Sequence, residues 1–134
     1  MSLLPVSPPT PQSRPGLWLV EDDDALRRAL QLMLFNRGFD VRAFPSAAHA
    51  LADAAADRIG VLVADYRLPD SDGVALLRAL RGRGWAGHAV LLTGFPSPTL
   101  EREARAAGFA AVLEKPVPHH RLIAELQPPV TPAR

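Results

Sequence analysis

The stretch that decides the fold runs from Ile59 to Gly73. An apolar run, Ile59-Gly60-Val61-Leu62-Val63-Ala64, stops at Asp65 and passes into Tyr66-Arg67-Leu68-Pro69-Asp70-Ser71-Asp72-Gly73. Six residues with no strict polar alternation suit a strand covered on both faces, as strands of parallel sheets are. The segment after it has turn chemistry: Pro69 and Gly73 shape the chain, and Asp72 is placed to cap a following helix. A carboxylate at the end of such a strand, at the mouth of a loop, lies where open α/β sheets bind ligands.

The same unit recurs on either side. Apolar runs appear at Leu17-Trp18-Leu19-Val20, more weakly at Val41 to Phe44, at Ala89 to Leu92 and at Ala110 to Leu113. Each is followed by residues of helical period. Leu26, Ala29, Leu30, Met33 and Leu34 form one stripe, ended near Gly38. Ala47, Ala50, Leu51 and Ala54 form a second, with Ser46 as N-cap. Leu76, Leu77 and Leu80 form a third, ended by Gly82 and Gly84. Leu100, Ala104 and Ala107 form a weaker fourth, with Ser97 as N-cap and Pro98 at the first helical position. Leu122, Ile123 and Leu126 form a short fifth. Five strand-helix units in about 110 residues predict a doubly wound (βα)5 sandwich around a central five-stranded parallel sheet.

The flanks read differently. Residues 1–15 carry five prolines and one charged side chain, and are expected to form a disordered tail or linker. The ordered domain is expected over 16–127, with a second tail over 128–134. The 134 residues fit one domain, and the 15 basic and 14 acidic side chains nearly cancel, which favours neither nucleic acid nor an anionic membrane as partner. There is no cysteine, so disulfides and thiolate metal sites are excluded and a cytosolic setting is the default. No apolar run reaches the roughly 18–20 residues needed to span a bilayer.

Chemistry gathers at the ends of the expected strands. Glu21-Asp22-Asp23-Asp24 follows the first, Asp65 ends the third, Thr93-Gly94 follows the fourth and Glu114-Lys115-Pro116 the fifth. Lys115 is the single lysine beside 14 arginines, which suggests a position that needs a compact ammonium. Crowded carboxylates repel unless a hard cation lies between them, and Mg²⁺ takes one or two carboxylates with carbonyl, water and phosphate oxygens. Phosphoryl transfer needs charge neutralised on three oxygens, which the metal, Lys115 and Thr93 would supply to an Asp65 nucleophile. Each feature also has a plain reading. The acidic run suits a helix N-terminus, Asp65 a turn, Thr93 a hydroxyl bonded to nearby backbone, and Lys115 a solvated side chain. All four coincidences are needed together to dismiss the set. His49 and His88 read as surface or loop residues, and His119 and His120 open the last helix, where adjacent histidines point apart and do not suit a metal site. Trp18 and Trp85 read as packing, and Arg78, Arg81 and Arg83 as a solvated helix face.

With LVEDD, VADYRLPDSDG, LLTG and LEKP in this order, the sequence over about 16–127 resembles the receiver domain of bacterial response regulators. The resemblance implies a flavodoxin-like fold and a phosphorylation-switched signalling domain, which catalyses only its own phosphorylation and dephosphorylation. It implies Asp65 as phospho-acceptor and Mg²⁺ held by Asp22, Asp65, the main-chain carbonyl of Arg67, and Glu21 through water or by shaping the pocket. Thr93 would donate to the phosphoryl group and Lys115 would pair with Asp65 or its phosphoryl oxygens. The donor would be a phospho-histidine on a sensor kinase or phosphotransfer domain, and the surface of the fourth helix, fifth strand and fifth helix would bind a target or a dimer mate. Val112 stands where the family often has an aromatic residue, so an aromatic switch is not expected. Arg67 borders the acceptor. Two rivals remain at this point. A phosphatase of the haloacid-dehalogenase type would want an acid at position 67, and a non-phosphorylated pseudo-receiver would lack only the chemistry. Whether the chain stands alone or belongs to a larger regulator or hybrid kinase is left open.

Overall fold

A computed structural model describes residues 14–53 and 59–126. The expected tails, residues 54–58 and with them Ala54 lie outside the described residues, apart from Arg14 and Pro15. Strands and helices alternate as β1 (Gly16–Val20), α1 (Asp24–Asn36), β2 (Asp40–Phe44), α2 (Ala47–Leu51) and β3 (Val61–Asp65). They continue as α3 (Gly73–Gly82), β4 (His88–Thr93), α4 (Pro98–Ala107), β5 (Ala111–Glu114) and α5 (His119–Leu126).

The five strands form one parallel sheet in the order β2-β1-β3-β4-β5. Successive side chains of a strand point to opposite faces, so the central strands feed two cores. Trp18, Val20, Leu62, Ala64, Ala89 and Leu91 pack under α2, α3 and α4. Leu17, Leu19, Val61, Val63, Val90 and Leu92 pack under α1 and α5. This is why the sequence of these strands is continuously apolar. β2, at the sheet edge, alternates between exposed and half-buried residues, which accounts for its weaker signal.

The caps fall where the residue types place them. Ser46, Asp72 and Ser97 accept hydrogen bonds from the amides of His49, Ala75 and Leu100 at the starts of α2, α3 and α4. Gly38 and Gly84 take positive φ values of 102° and 94° just past α1 and α3, a conformation that favours glycine. The loop after β3 reaches back to α2: the Asp70 carboxylate accepts from the amides of Ala47 (3.1 Å) and Ala48 (2.8 Å). These bonds, that from Ala48 foremost, hold Asp70 below its ordinary pKa.

Several expectations need correction. Ala29 is exposed: Leu26, Leu30, Met33 and Leu34 carry the inner face of α1, and Ala29 lies at its margin. Arg81 is no solvated residue. Its guanidinium stacks 5.0 Å from the Trp85 ring centroid and donates to the carbonyls of Trp85 and Gly108, both at 3.1 Å. Arg83 donates to the Leu51 carbonyl at 2.9 Å, although it remains exposed, as does Arg78. His88 opens β4 half-buried, with Nε2 2.7 Å from the Glu125 carbonyl. His49 is on the exposed side of α2, its Nδ1 2.6 Å from Ser46 Oγ. Trp18 and Trp85 are both buried, as read from the sequence. The Trp85 indole donates to the Ile59 carbonyl at 2.8 Å. Trp18 meets Phe44 edge-to-face at 5.2 Å.

Candidate functional site

Because all five strands run in parallel, their carboxyl ends share one edge of the sheet. Glu21 follows β1, Asp65 ends β3, Thr93 ends β4 and Lys115 follows β5. The backbone fixes this edge before any side chain acts. The Glu21 amide donates to the Phe44 carbonyl (3.0 Å), the Tyr66 amide to that of Leu92 (2.8 Å), and the Lys115 amide to that of Thr93 (2.8 Å).

Carboxylate oxygens of Glu21, Asp22 and Asp65 lie within 4.8 Å of one another. Glu21 and Asp65 are buried, whereas Asp22 faces solvent. Lys115 Nζ reaches both buried acids, at 2.8 Å from Glu21 Oε1 and 3.0 Å from Asp65 Oδ2. The expected partner of Lys115 was Asp65, and Glu21 shares it. The other Glu21 oxygen, Oε2, accepts from the Asp23 amide at 3.1 Å.

The charges do not balance evenly. Burial pushes the Glu21 carboxyl above its ordinary pKa, against the Lys115 and Asp23 hydrogen bonds, and the Asp65 charge pushes the same way. For Lys115, burial disfavours the ammonium, but the bonds to Glu21 and Asp65 outweigh it and hold the group above its ordinary value. One ammonium thus serves two buried acids with a third alongside, a surplus of negative charge on hard oxygen donors. Such a set fits a small divalent cation and no soft metal.

That surplus has a measurable sign. A carboxyl whose folded pKa is raised binds protons more tightly in the folded state than in the unfolded one. Glu21 therefore makes metal-free stability fall as pH rises from its ordinary 4.5 through the raised value. The Lys115 contribution is present below its ordinary 10.5 and is lost only as pH rises through its higher folded value. Thermal melts across pH 4.5–7 are expected to show the Glu21 slope, Glu21→Gln to flatten it, and Mg²⁺ to oppose it. An unchanged slope in Glu21→Gln would assign it to other groups.

Thr93 is buried, and its hydroxyl oxygen accepts from the Phe95 amide at 3.1 Å. The plain reading of Thr93 as a backbone-bonded hydroxyl is thus present, and it leaves the hydroxyl proton free to donate. Arg67 is exposed in the loop after β3, its guanidinium carbon 5.3 Å from the centroid of the exposed Phe95 ring. Val112 is half-buried on β5, packed against the core under α4.

Two residues of the site were not found by reading the sequence. Arg27 donates to the Glu21 carbonyl at 2.8 Å, and pairs with Asp24 at 2.5 Å. It braces the acidic turn from the first turn of α1; an i,i+3 spacing from Asp24 was its one sequence signal. Gly73 was read as a turn residue, yet it begins α3 pressed against the end of β3. A Cβ there would stand 2.7 Å from the Asp65 carbonyl oxygen and 2.6 Å from Leu91 Cδ1. Gly73→Ala is therefore expected to displace the end of β3 and to destabilise the domain by about 1–3 kcal/mol, the usual range for overpacking. Denaturant unfolding would check it, and wild-type stability would show that the strand end yields freely.

A family description, Response regulator receiver domain, matches residues 17–127. The transcriptional regulatory protein FixJ of Rhizobium meliloti is 39% identical over 98 residues, covering 73% of this chain and 48% of its own. The chain spans 24% to 55% of the length of the first three curated relatives it matches. Among solved structures, the chemotaxis protein CheY4 of Vibrio cholerae superposes with a TM-score of 0.80 at 26% identity, over 85% of this chain and 97% of that one. A response regulator protein from Burkholderia pseudomallei, solved with a phosphorylated aspartic acid, a calcium ion and citrate, has a TM-score of 0.77 at 25% identity. That match covers 84% of this chain and 66% of the other.

Proposed function

This chain belongs to the response regulator receiver domain family of two-component signalling, and we propose that Asp65 is its phospho-accepting residue, working with Mg²⁺. The observation that carries the assignment is the Lys115 ammonium 3.0 Å from Asp65 and 2.8 Å from Glu21, beside the three-carboxylate cluster.

In the reading we favour, an Asp65 carboxylate oxygen attacks the phosphorus of a phospho-histidine. The new O–P bond forms as the N–P bond breaks, and the imidazole nitrogen leaves with the electron pair and takes up a proton. The strand end aims the nucleophile. Lys115 neutralises one phosphoryl oxygen and the Thr93 hydroxyl donates to another. Asp22, Asp65 and the Arg67 carbonyl would hold Mg²⁺, with Glu21 completing the acidic pocket. When bound, Mg²⁺ supplies the remaining neutralisation of phosphoryl charge.

The product carries about −1.5 to −2 charge at the site, enough to draw in Thr93 and Lys115. Both lead directly into α4 and α5, so the α4-β5-α5 surface is the element whose packing that charge would bias. Its readers would be a target protein or a dimer mate, and the donor a sensor histidine kinase or a phosphotransfer domain in the cytoplasm. Val112 makes this a switch without an aromatic rotor. The domain is a signalling element and not a turnover enzyme, and Arg67 occupies the place where a dehalogenase-type phosphatase would put its general acid.

The test is intact mass after incubation with acetyl phosphate and Mg²⁺. A gain of one phosphoryl group supports the reading. No gain in a folded protein would overturn it and leave an interaction domain whose acidic pocket is structural.

A further inference from the structure

The loop that carries Arg67 is held at both ends by the elements it joins. The Tyr66 amide donates to the Leu92 carbonyl of β4 at 2.8 Å, and Asp72 caps α3. Within the loop, Arg67 and Asp72 face each other in an isolated antiparallel bridge. Its two bonds run from the Leu68 amide to the Ser71 carbonyl (3.3 Å) and from the Gly73 amide to the Tyr66 carbonyl (2.8 Å). Arg67 and Asp72 are therefore the non-hydrogen-bonded pair of the bridge, and the amide and carbonyl of Arg67 turn outward from it. The carbonyl assigned above to Mg²⁺ takes no part in either bond, which leaves it open to a partner outside the bridge.

The middle of the loop has holds of its own. Leu68 is buried in the core under α2 and α3, and the Arg67 guanidinium carbon stands 5.3 Å from the Phe95 ring centroid. Asp70 is exposed, yet both its carboxylate oxygens are engaged by α2: Oδ1 accepts from the Ala47 amide at 3.1 Å and Oδ2 from the Ala48 amide at 2.8 Å. That end of α2 is a firm anchor, because Ala47 and Ala50 are buried in the core. Two oxygens on two successive amides fix direction as well as distance, since turning the carboxylate breaks one bond or the other. Ser46 already supplies the local cap of α2 through the His49 amide. The Asp70 bonds, made from 22 and 23 residues away, are a tie between elements. Asp70 is not one of the three clustered carboxylates, so any effect it has on a metal passes through the loop.

We propose that Asp70 is a positioning residue for the metal site: by tying the loop to α2 it fixes where the Arg67 carbonyl stands, and so sets the affinity for Mg²⁺. The role rests on the Mg²⁺ site proposed above and extends that site from the edge of the sheet to α2. A carbonyl already held in place binds without the entropic cost of ordering its loop, whereas a loop released from α2 must be ordered by the ion itself. The coupling is reciprocal, so a bound ion tightens the loop against α2 in turn.

Titration of the unphosphorylated protein with Mg²⁺, followed by amide NMR shifts at Asp22 and residues 65–68, tests it. An ionic strength of about 0.15 M screens the remote charge of an exposed carboxylate. Asp70→Ala is expected to weaken Mg²⁺ binding by about 10-fold, the lower end of the range for losing a group that orients a metal ligand. Asp70→Asn keeps one accepting oxygen and is expected to lose less. Ser46→Ala removes the local cap of α2 but not the tie, so it should lower stability and leave the affinity unchanged. Without metal, amide hydrogen exchange at residues 66–71 should quicken in Asp70→Ala and not in Ser46→Ala. Circular dichroism confirms that each variant is folded. An unchanged affinity in Asp70→Ala overturns the proposal. So does an equal loss in Asp70→Asn, which would assign the effect to charge, or in Ser46→Ala, which would assign it to the stability of α2. A wild type with no Mg²⁺-dependent shift overturns the metal site itself, and this role with it.

Discussion

Asp65→Asn is expected to abolish phosphorylation outright, with no phosphoryl adduct on the intact protein after incubation with acetyl phosphate and Mg²⁺. The amide keeps the shape of the carboxyl and can still offer its carbonyl oxygen to Lys115, 3.0 Å away in the wild type. What it loses is the anionic nucleophile that would form the O–P bond. The substitution also removes one of three clustered negative charges, which relieves part of their repulsion. The variant is therefore expected to remain folded and to need less Mg²⁺ for full stability. An adduct of unchanged yield on Asp65→Asn would move the acceptor to another residue, with Asp22 the first to examine.

Lys115→Met should have the second largest effect, on both stability and chemistry. Methionine preserves much of the stem's packing but leaves Glu21, 1% exposed, and Asp65 without their shared ammonium. Removing one partner of a buried ion pair typically costs about 3–5 kcal/mol. Here the loss falls below that range, because Lys115 is 22% exposed and Glu21, already raised in pKa, can take up a proton in place of the lost charge. The sign follows. Without Lys115 the Glu21 pKa rises further, so the destabilisation grows with pH and is smaller at pH 5 than at pH 7. Labelling by acetyl phosphate is expected to fall by about 100-fold, the usual effect of losing one preorganised donor. Denaturant unfolding at both pH values, with the labelling rate alongside, checks both parts. An equal stability loss at pH 5 and 7 would mean that packing, and not charge, holds the lysine.

Much of this was legible in the sequence, for a physical reason. A strand buried on both faces must be apolar throughout, so β1, β3 and β4 announced themselves, and their polar ends marked the site edge. Asp72, Ser46 and Ser97 could be read as caps because capping is a contact within three residues. What stayed hidden was set by distance along the chain. The Lys115–Glu21 pair joins residues 94 apart, Asp70 caps a helix more than 20 residues upstream, and Arg81 bridges to Gly108. No local spacing encodes these contacts. Ala29 was misassigned for the opposite reason: an alanine at the margin of a stripe fits either face of a helix, and only packing separates them. The Arg67–Phe95 stack joins two loops that pattern reading placed at the same edge but could not pair.

The far pole of the sheet has a consequence of its own. Pro15 and Leu126 border the same cleft beside Gly38, Phe39 and His88, where the strands begin, and the His88 ring reaches the carbonyl of Glu125 at 2.7 Å. The two ends of the described fold are therefore neighbours, and both sit opposite the edge that carries Asp65. Neighbouring ends are the geometric condition for circular permutation. Joining them through a short linker and reopening the chain elsewhere would reorder the five units in sequence without moving them in space. Any cargo tethered at residues 15 or 126 hangs from the pole opposite Asp65.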